Sequence, residues 1–326
     1  MKIIQPIAIE PGAPLLEYGS LSLDFRAQAY VTADPRGDPT VVLETNVPET
    51  DAALWSAGTY ATGVQKIFGH RIYEVIAAPS TTAQPDIGAA AEPATWLDLG
   101  PANRWKAFDG RISSETANPG TIVYRIAPGT VVNAIAFFGL YGSDMMVTMT
   151  DPIAGQVYSV SMDLQDNSGI VDYYNYFFDE IVLRPDVLLV DLPAYGQAEI
   201  EITIAAGVED ARVGEIVLGK LKQIGEANFG TSVGIQSYSK KDRDEFGSFV
   251  IVPRAFNDRA DYDVTIETSK VYAAKKLLTA IRDTPTVFIG DENRLETVVY
   301  GFFKDFSIVL SNSANSACSI QVEGLT

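Results

Sequence analysis

The chain has 326 residues, 47% hydrophobic and 20% charged, enough for two or three packed domains. A formal net charge of −18 opposes the phosphate neutralisation that nucleic-acid binding needs, and it opposes docking on anionic lipid. The single cysteine, Cys318, excludes an intrachain disulfide or a cysteine metal cluster and fits maturation in a reducing cytoplasm.

In chain order, "MKIIQPIAIEPG" holds an apolar run too short for a signal-peptide core. No run approaches the ~18 apolar residues of a membrane span, so no membrane insertion is expected. Residues 1–50 read as short extended segments, among them "KIIQPIAI" and "TVVLET", forming an N-terminal arm or edge strands. "NVPETDAALW" leads into a small unit over 51–97. There "TYATGVQKIFGHRIYEVIA" predicts two short strands about a turn at Phe68-Gly69-His70, and "APSTTAQPDIGAAAEPAT" predicts a loop to Trp96. So few residues bury little, and aromatic side chains must supply what core there is.

Over 98–225 eight β-runs, from "GTIVYRI" through "YNYFFDEIVL" to "RVGEIVLGKLKQIG", are spaced by Pro, Gly and Asp turns and predict an antiparallel sandwich. The alternation in "AEIEITIA" places Ile200, Ile202 and Ile204 on one buried face. Residues 226–326 predict one helix on a sheet. Ser269 is its expected cap, Val271, Ala274, Leu278 and Ile281 form its apolar stripe, and Pro285 stops it. The expected class is mainly β and multidomain, with a small β module, an antiparallel sandwich and a C-terminal α+β domain.

The candidate chemistry is sparse. "GTSVG" (Gly230–Gly234) matches G-x-S-x-G, but no helical pattern follows Ser232 and the sole histidine, His70, lies far upstream, so a turn entering a strand is expected. One histidine without paired cysteines makes no zinc site, and a solvent-exposed turn is the expectation for His70. Asp109, Glu115 and Asp144 are available acids, read as solvated loop residues because sequence does not reveal a carboxyl pair across a cleft. "DLQDNSG" (Asp163–Gly169) and "AFDGRISSET" (Ala107–Thr116) are oxygen-rich enough to make calcium possible, yet neither follows the EF-hand spacing. "SKKDRDEF" (Ser239–Phe246) reads as a solvated turn. No cofactor and no enzymatic activity are expected. Trp55, Tyr60, Tyr73 and Trp96 are the residue types that stack on a sugar ring, and equally those that would fill the core of so small a unit.

Those residues carry a resemblance. Trp55, Tyr60, Gly63, Val64, Gly69, Tyr73 and Trp96 follow a pattern similar to the small chitin-binding carbohydrate-binding modules, although the usual Gly-Asp pair is missing after Gly63-Val64. "NRWKAFDGRISSET" and "AEIEITIAAGVEDARVGEIVLG" resemble the opening loop and closing strands of the galactose-binding-like (discoidin-type) jelly roll. That likeness implies a jelly-roll sandwich, with Asn103, Arg104, Trp105 and Asp109 near the position where such domains hold ligand or calcium. The order of the whole chain looks like tailed-bacteriophage virion proteins of the tail or adsorption apparatus. This implies a structural subunit of a tail tip or baseplate, assembled in the host cytoplasm beside other virion tail proteins, repeated as a symmetric homo-oligomer and touching host-surface saccharide. A connector without glycan binding is the alternative, and a glycan depolymerase a third reading.

Overall fold

The computed structural model describes residues 1–9, 16–17, 41–166, 172–178, 182–243 and 249–325. It is mainly β, built from curled antiparallel sheets with one main helix. A six-stranded sheet runs in the order Gly155–Asp163, Asp144–Asp151, Glu199–Val213, Thr116–Ala127, Val41–Thr45, Leu16–Glu17, with only the last pair parallel. Ile200, Ile202 and Ile204 point inward and are fully buried, as their alternation requires. They meet Ile135, Phe137, Ile216 and Leu218 from a second sheet, which completes the sandwich core.

That second sheet does not end with the sandwich. It has ten strands, and three of them, Val187–Leu189, Ala134–Phe138 and Glu215–Gln223, belong to the sandwich. The strand Lys2–Pro6 comes next, followed by Thr286–Ile289, Val298–Val309, Asn315–Gly324 and Phe256–Glu267. Lys2–Pro6 is therefore central, contrary to the arm or edge expected over residues 1–50, whereas Leu16–Glu17 from the same range does stand at the edge of the six-stranded sheet. The neighbours of Lys2–Pro6 on either side are residues 219–223 and 287–289. Ile3 packs in the helix-side core and Ile4 in the core beside it, both fully buried. A strand covered on both faces shows a continuous apolar run rather than alternation. Gly219 lets the strand approach, since a Cβ there would lie 2.2 Å from the Gln5 carbonyl oxygen.

In the C-terminal unit the helix Val271–Ala280 seats Ala274 and Leu278, with Ile281 just beyond it, against Tyr262, Val264 and Ile320. Ser269 is not its cap. A 3-10 turn over Thr268–Lys270 leads in, no side chain caps the first turn, and the Thr268 hydroxyl fixes the entry by donating to the Asn312 carbonyl at 2.9 Å. A second departure is the run "YNYFFDEIVL", where Tyr173–Phe178 is a helix and, among the described residues, only Val182–Leu183 is extended. β-propensity reflects packing on a pleated surface, and Tyr173 and Phe177 stand in solvent.

The small module holds a three-stranded sheet, Gln65–Phe68, Arg71–Val75 and Trp96–Pro101, with the pair Tyr60–Ala61 and Ser80–Thr81 beside it. Gly69 and His70, at φ 56° and 62°, make the two-residue turn with both residues left-handed that suits strand twist. The stretch expected as a loop contains a short helix, Pro85–Ala89, packed on Trp96.

Candidate functional site

The module's four aromatic candidates divide into two layers. Tyr73 and Trp96 are buried beside Val75, and the Trp96 indole donates to the Ala83 carbonyl at 2.9 Å. These two rings are core and cannot face a sugar, which corrects their expectation as ligand residues. Burial and stacking select the same residue types, so sequence could not separate them. Trp55 and Tyr60 lie above them, half-buried. Trp55 meets Phe68 edge-on at 5.5 Å, and its indole nitrogen is buried without a hydrogen-bond partner among the described residues. Tyr60 meets Trp96 edge-on at 5.9 Å, and the Lys66 ammonium lies 5.1 Å from its ring centre. The Tyr60 hydroxyl donates to the Ser56 carbonyl at 2.7 Å, and the side-chain bond to Ser56 holds its pKa below the usual phenol value. The outward rings are thus fixed in place by their own neighbours.

Asn103, Arg104 and Trp105 have structural employment. The Asn103 amide clasps the next strand, donating to the Ala117 carbonyl and accepting from the Ala117 N–H. Arg104 is buried, and its Nε donates to the Val47 carbonyl at 3.0 Å. Trp105 is fully buried with an unpartnered indole N–H, and its ring lies 5.4 Å from His70. His70 is not a free turn residue either, because its Nδ1 sits 3.0 Å from a Glu49 carboxylate oxygen. The Ala102 N–H donates to the His70 carbonyl, and the Tyr124 hydroxyl to that of Arg104. Together these residues form the joint between module and sandwich. Arg104 and Trp105 cannot contact a saccharide from there.

Asp109 leads to a site that sequence reasoning missed. Its Oδ1 accepts the Arg111 N–H, and burial pushes its carboxyl pKa up. Beside it Glu215, buried in the strand Glu215–Gln223, accepts the Gly110 N–H at 2.9 Å and faces the Tyr300 hydroxyl at 3.5 Å. Desolvation pushes the Glu215 carboxyl up to about 8, and the Asp109 charge adds to this. Tyr300, whose phenol is pushed up by burial and then by its Glu215 neighbour, stacks on Phe138 at 5.4 Å. The signal available beforehand was a lone Glu inside the apolar run "VGEIVLG". Calcium takes about six to eight oxygen ligands. Here two carboxylates meet, each with an oxygen turned to a peptide N–H, and no trio of acids, histidines or cysteines converges among the described residues. The loop Asp163–Gly169 lies partly outside those residues.

The remaining acids are scattered. Glu115 stands 3.9 Å from Arg212, and Asp144 begins a strand in register with Asp163. Ser232 sits on an exposed strand with its Oγ 3.4 Å from Asp261, while His70 is held by Glu49 in another unit.

Neither a family model nor a curated protein matches the chain. Among solved structures it is similar to chitosan-binding module 1 of a chitosanase/glucanase from Paenibacillus sp. IK-5. That likeness is 9% identical, spans 36% of this chain and 83% of that one, and has a TM-score of 0.24, too low to bear on fold or ligand.

Proposed function

We propose that this chain is a structural subunit of a virion tail assembly that presents its small module to host-surface saccharide. The observation that carries the saccharide contact is the pair of half-exposed rings, Trp55 and Tyr60, held over a floor of Tyr73 and Trp96. One stacked ring and a few hydrogen bonds give about millimolar affinity, near 4 kcal/mol. Useful retention then needs several copies acting together. The tail assignment rests on the order of sequence motifs alone.

A glycan array probed with purified protein tests the reading. The wild type is expected to bind, and Trp55→Ala and Tyr60→Ala to lose binding while each keeps a cooperative melting transition at a lowered temperature. No retention by any oligomeric form refutes it. A second reading, a connector between tail proteins, is favoured by Leu54, Leu97 and Leu99, which expose aliphatic rather than aromatic surface on the same module. Replacing Leu97 and Leu99 by Ser separates the two, since a connector loses assembly and a saccharide grip does not.

A further inference from the structure

One element has no role in the saccharide reading. The strand Ser232–Ser237 is exposed along its whole length and, among the described residues, pairs on one side only, with residues 256–261. The same two chains continue through the Tyr238 N–H bond to the Ala255 carbonyl into the pairs Lys240–Arg243 and Phe249–Val252. This is one long hairpin. Its pairing with Asn315–Gly324 begins only at Arg259, so beyond that point no third strand supports it among the described residues. Ile251, Val252 and Phe256 are exposed on it, Phe256 at 55%. A free edge carrying large apolar side chains is a template for pairing with another chain, and stable proteins keep such edges covered.

A groove of about 880 Å³ opens at the base of this arm, bounded by the strand 232–237, residues 182–186 and residues 293–299. Val182, Ile235 and Leu295 give it an exposed apolar lining. Its charged lining is mixed but acidic in excess: Arg184 and Arg259 are held by Asp166 at 3.9 Å and Asp261 at 2.8 Å, whereas Asp186, Asp258 and Glu296 have no ion-pair partner among the described residues. Burial raises the Asp186 pKa, and the Asp258 charge raises it further. The arm carries the complement. Arg254 is exposed, and among the described residues only its backbone is engaged, by Ser239.

We propose that the arm of one copy docks in the groove of a second copy, with Arg254 placed against Asp186 and Asp258 and the apolar side chains of arm and groove packed together. The occupant is another copy because arm and groove are complementary in both charge and apolarity, and each chain carries one of each. The contact is head-to-tail, so it closes into a ring when the rotation between copies allows. It stands on the arm and groove alone and is independent of the saccharide assignment.

Charge reversal tests it directly, with mass measured by light scattering on a sizing column. The wild type is expected to self-associate. Arg254→Glu and Asp258→Arg, each alone, are expected to be at least about tenfold weaker in association. Both positions are exposed, so their melting temperatures stay at the wild-type value. An equimolar mixture of the two variants regains the oligomer, because each reversed surface then meets its complement. Three results overturn the proposal: a monomeric wild type, which would give the arm to an unlike partner; single variants of wild-type mass; or a mixture that stays monomeric.

Discussion

Glu215→Gln isolates the electrostatics of the joint between sandwich and C-terminal unit. The folded carboxyl titrates near 8 against 4.5 for the free side chain, mainly because burial penalises the charge. The native state therefore holds a proton that the unfolded chain releases between those values. Stability from this group is full below the unfolded value and falls as pH rises through the window, by about 1.4 kcal/mol per unit where the two states differ by one proton. From about pH 5 to about pH 8 the wild type loses roughly 3 to 4 kcal/mol through this one side chain. Glutamine keeps an acceptor for the Gly110 N–H and places a donor towards Tyr300, so it reproduces the protonated form without the titration. Urea unfolding of both proteins at the two pH values reads the difference. The variant's advantage is expected to be small at the acid end and to grow with pH by that amount. Asp109 and Asp186, also raised, titrate in both proteins and cancel in the comparison. Parallel pH profiles for the two would show that Glu215 is ionised in the fold and would refute the reasoning.

Trp96→Ala removes the module's largest buried ring, costing about 3 to 5 kcal/mol, and is expected to expose residues 79–95 to protease while the sandwich stays resistant. Gly219→Ala sets a methyl 2.2 Å from the Gln5 carbonyl oxygen, and an expected loss of about 1 to 3 kcal/mol appears as a lower melting temperature and faster amide exchange in Lys2–Pro6. His70→Asn keeps the left-handed turn at φ 62°, whereas His70→Val strains it by about 1 to 3 kcal/mol; thermal melts that fail to separate the two would contradict the turn geometry.

Where one face of an element meets solvent, the residue pattern was informative. Ile200, Ile202 and Ile204 announce their strand by alternation, the stripe through Ala274 and Leu278 announces the helix, and Gly69-His70 marks the hairpin turn. The pattern failed where both faces are covered. Ile3 and Ile4 are adjacent and both buried, so Lys2–Pro6 shows no period, and its partners lie more than two hundred residues away in the chain. It failed again for function. Nothing in composition distinguishes the sealed rings of Trp96 and Trp105 from the half-exposed rings of Trp55 and Tyr60, because only the packing of distant segments decides which ring is last covered. "SKKDRDEF", read as a solvated turn, belongs to the hairpin arm through Lys240–Arg243, and its residues 244–246 lie outside the described residues.

The proposed saccharide grip and the proposed self-association become one requirement when affinity is considered. The proposed grip of Trp55 and Tyr60 would hold saccharide only weakly and would act as a host contact only when many copies present it together. Presentation also needs a constant orientation, because effective concentration collapses when linked sites cannot engage at once. The joint meets that need. Ala102 bonds to His70, Glu49 lies between His70 and Arg104, and Tyr124 bonds to Arg104, tying the module to the sandwich by hydrogen bonds rather than a tether. The sandwich in turn shares one continuous sheet with the unit that carries the arm, through the strand Lys2–Pro6. Charge reversal at Arg254 is therefore expected to abolish retention on a glycan surface while leaving Tyr60 and its neighbours intact. Loss of the central strand would uncouple grip from assembly even with both surfaces still folded.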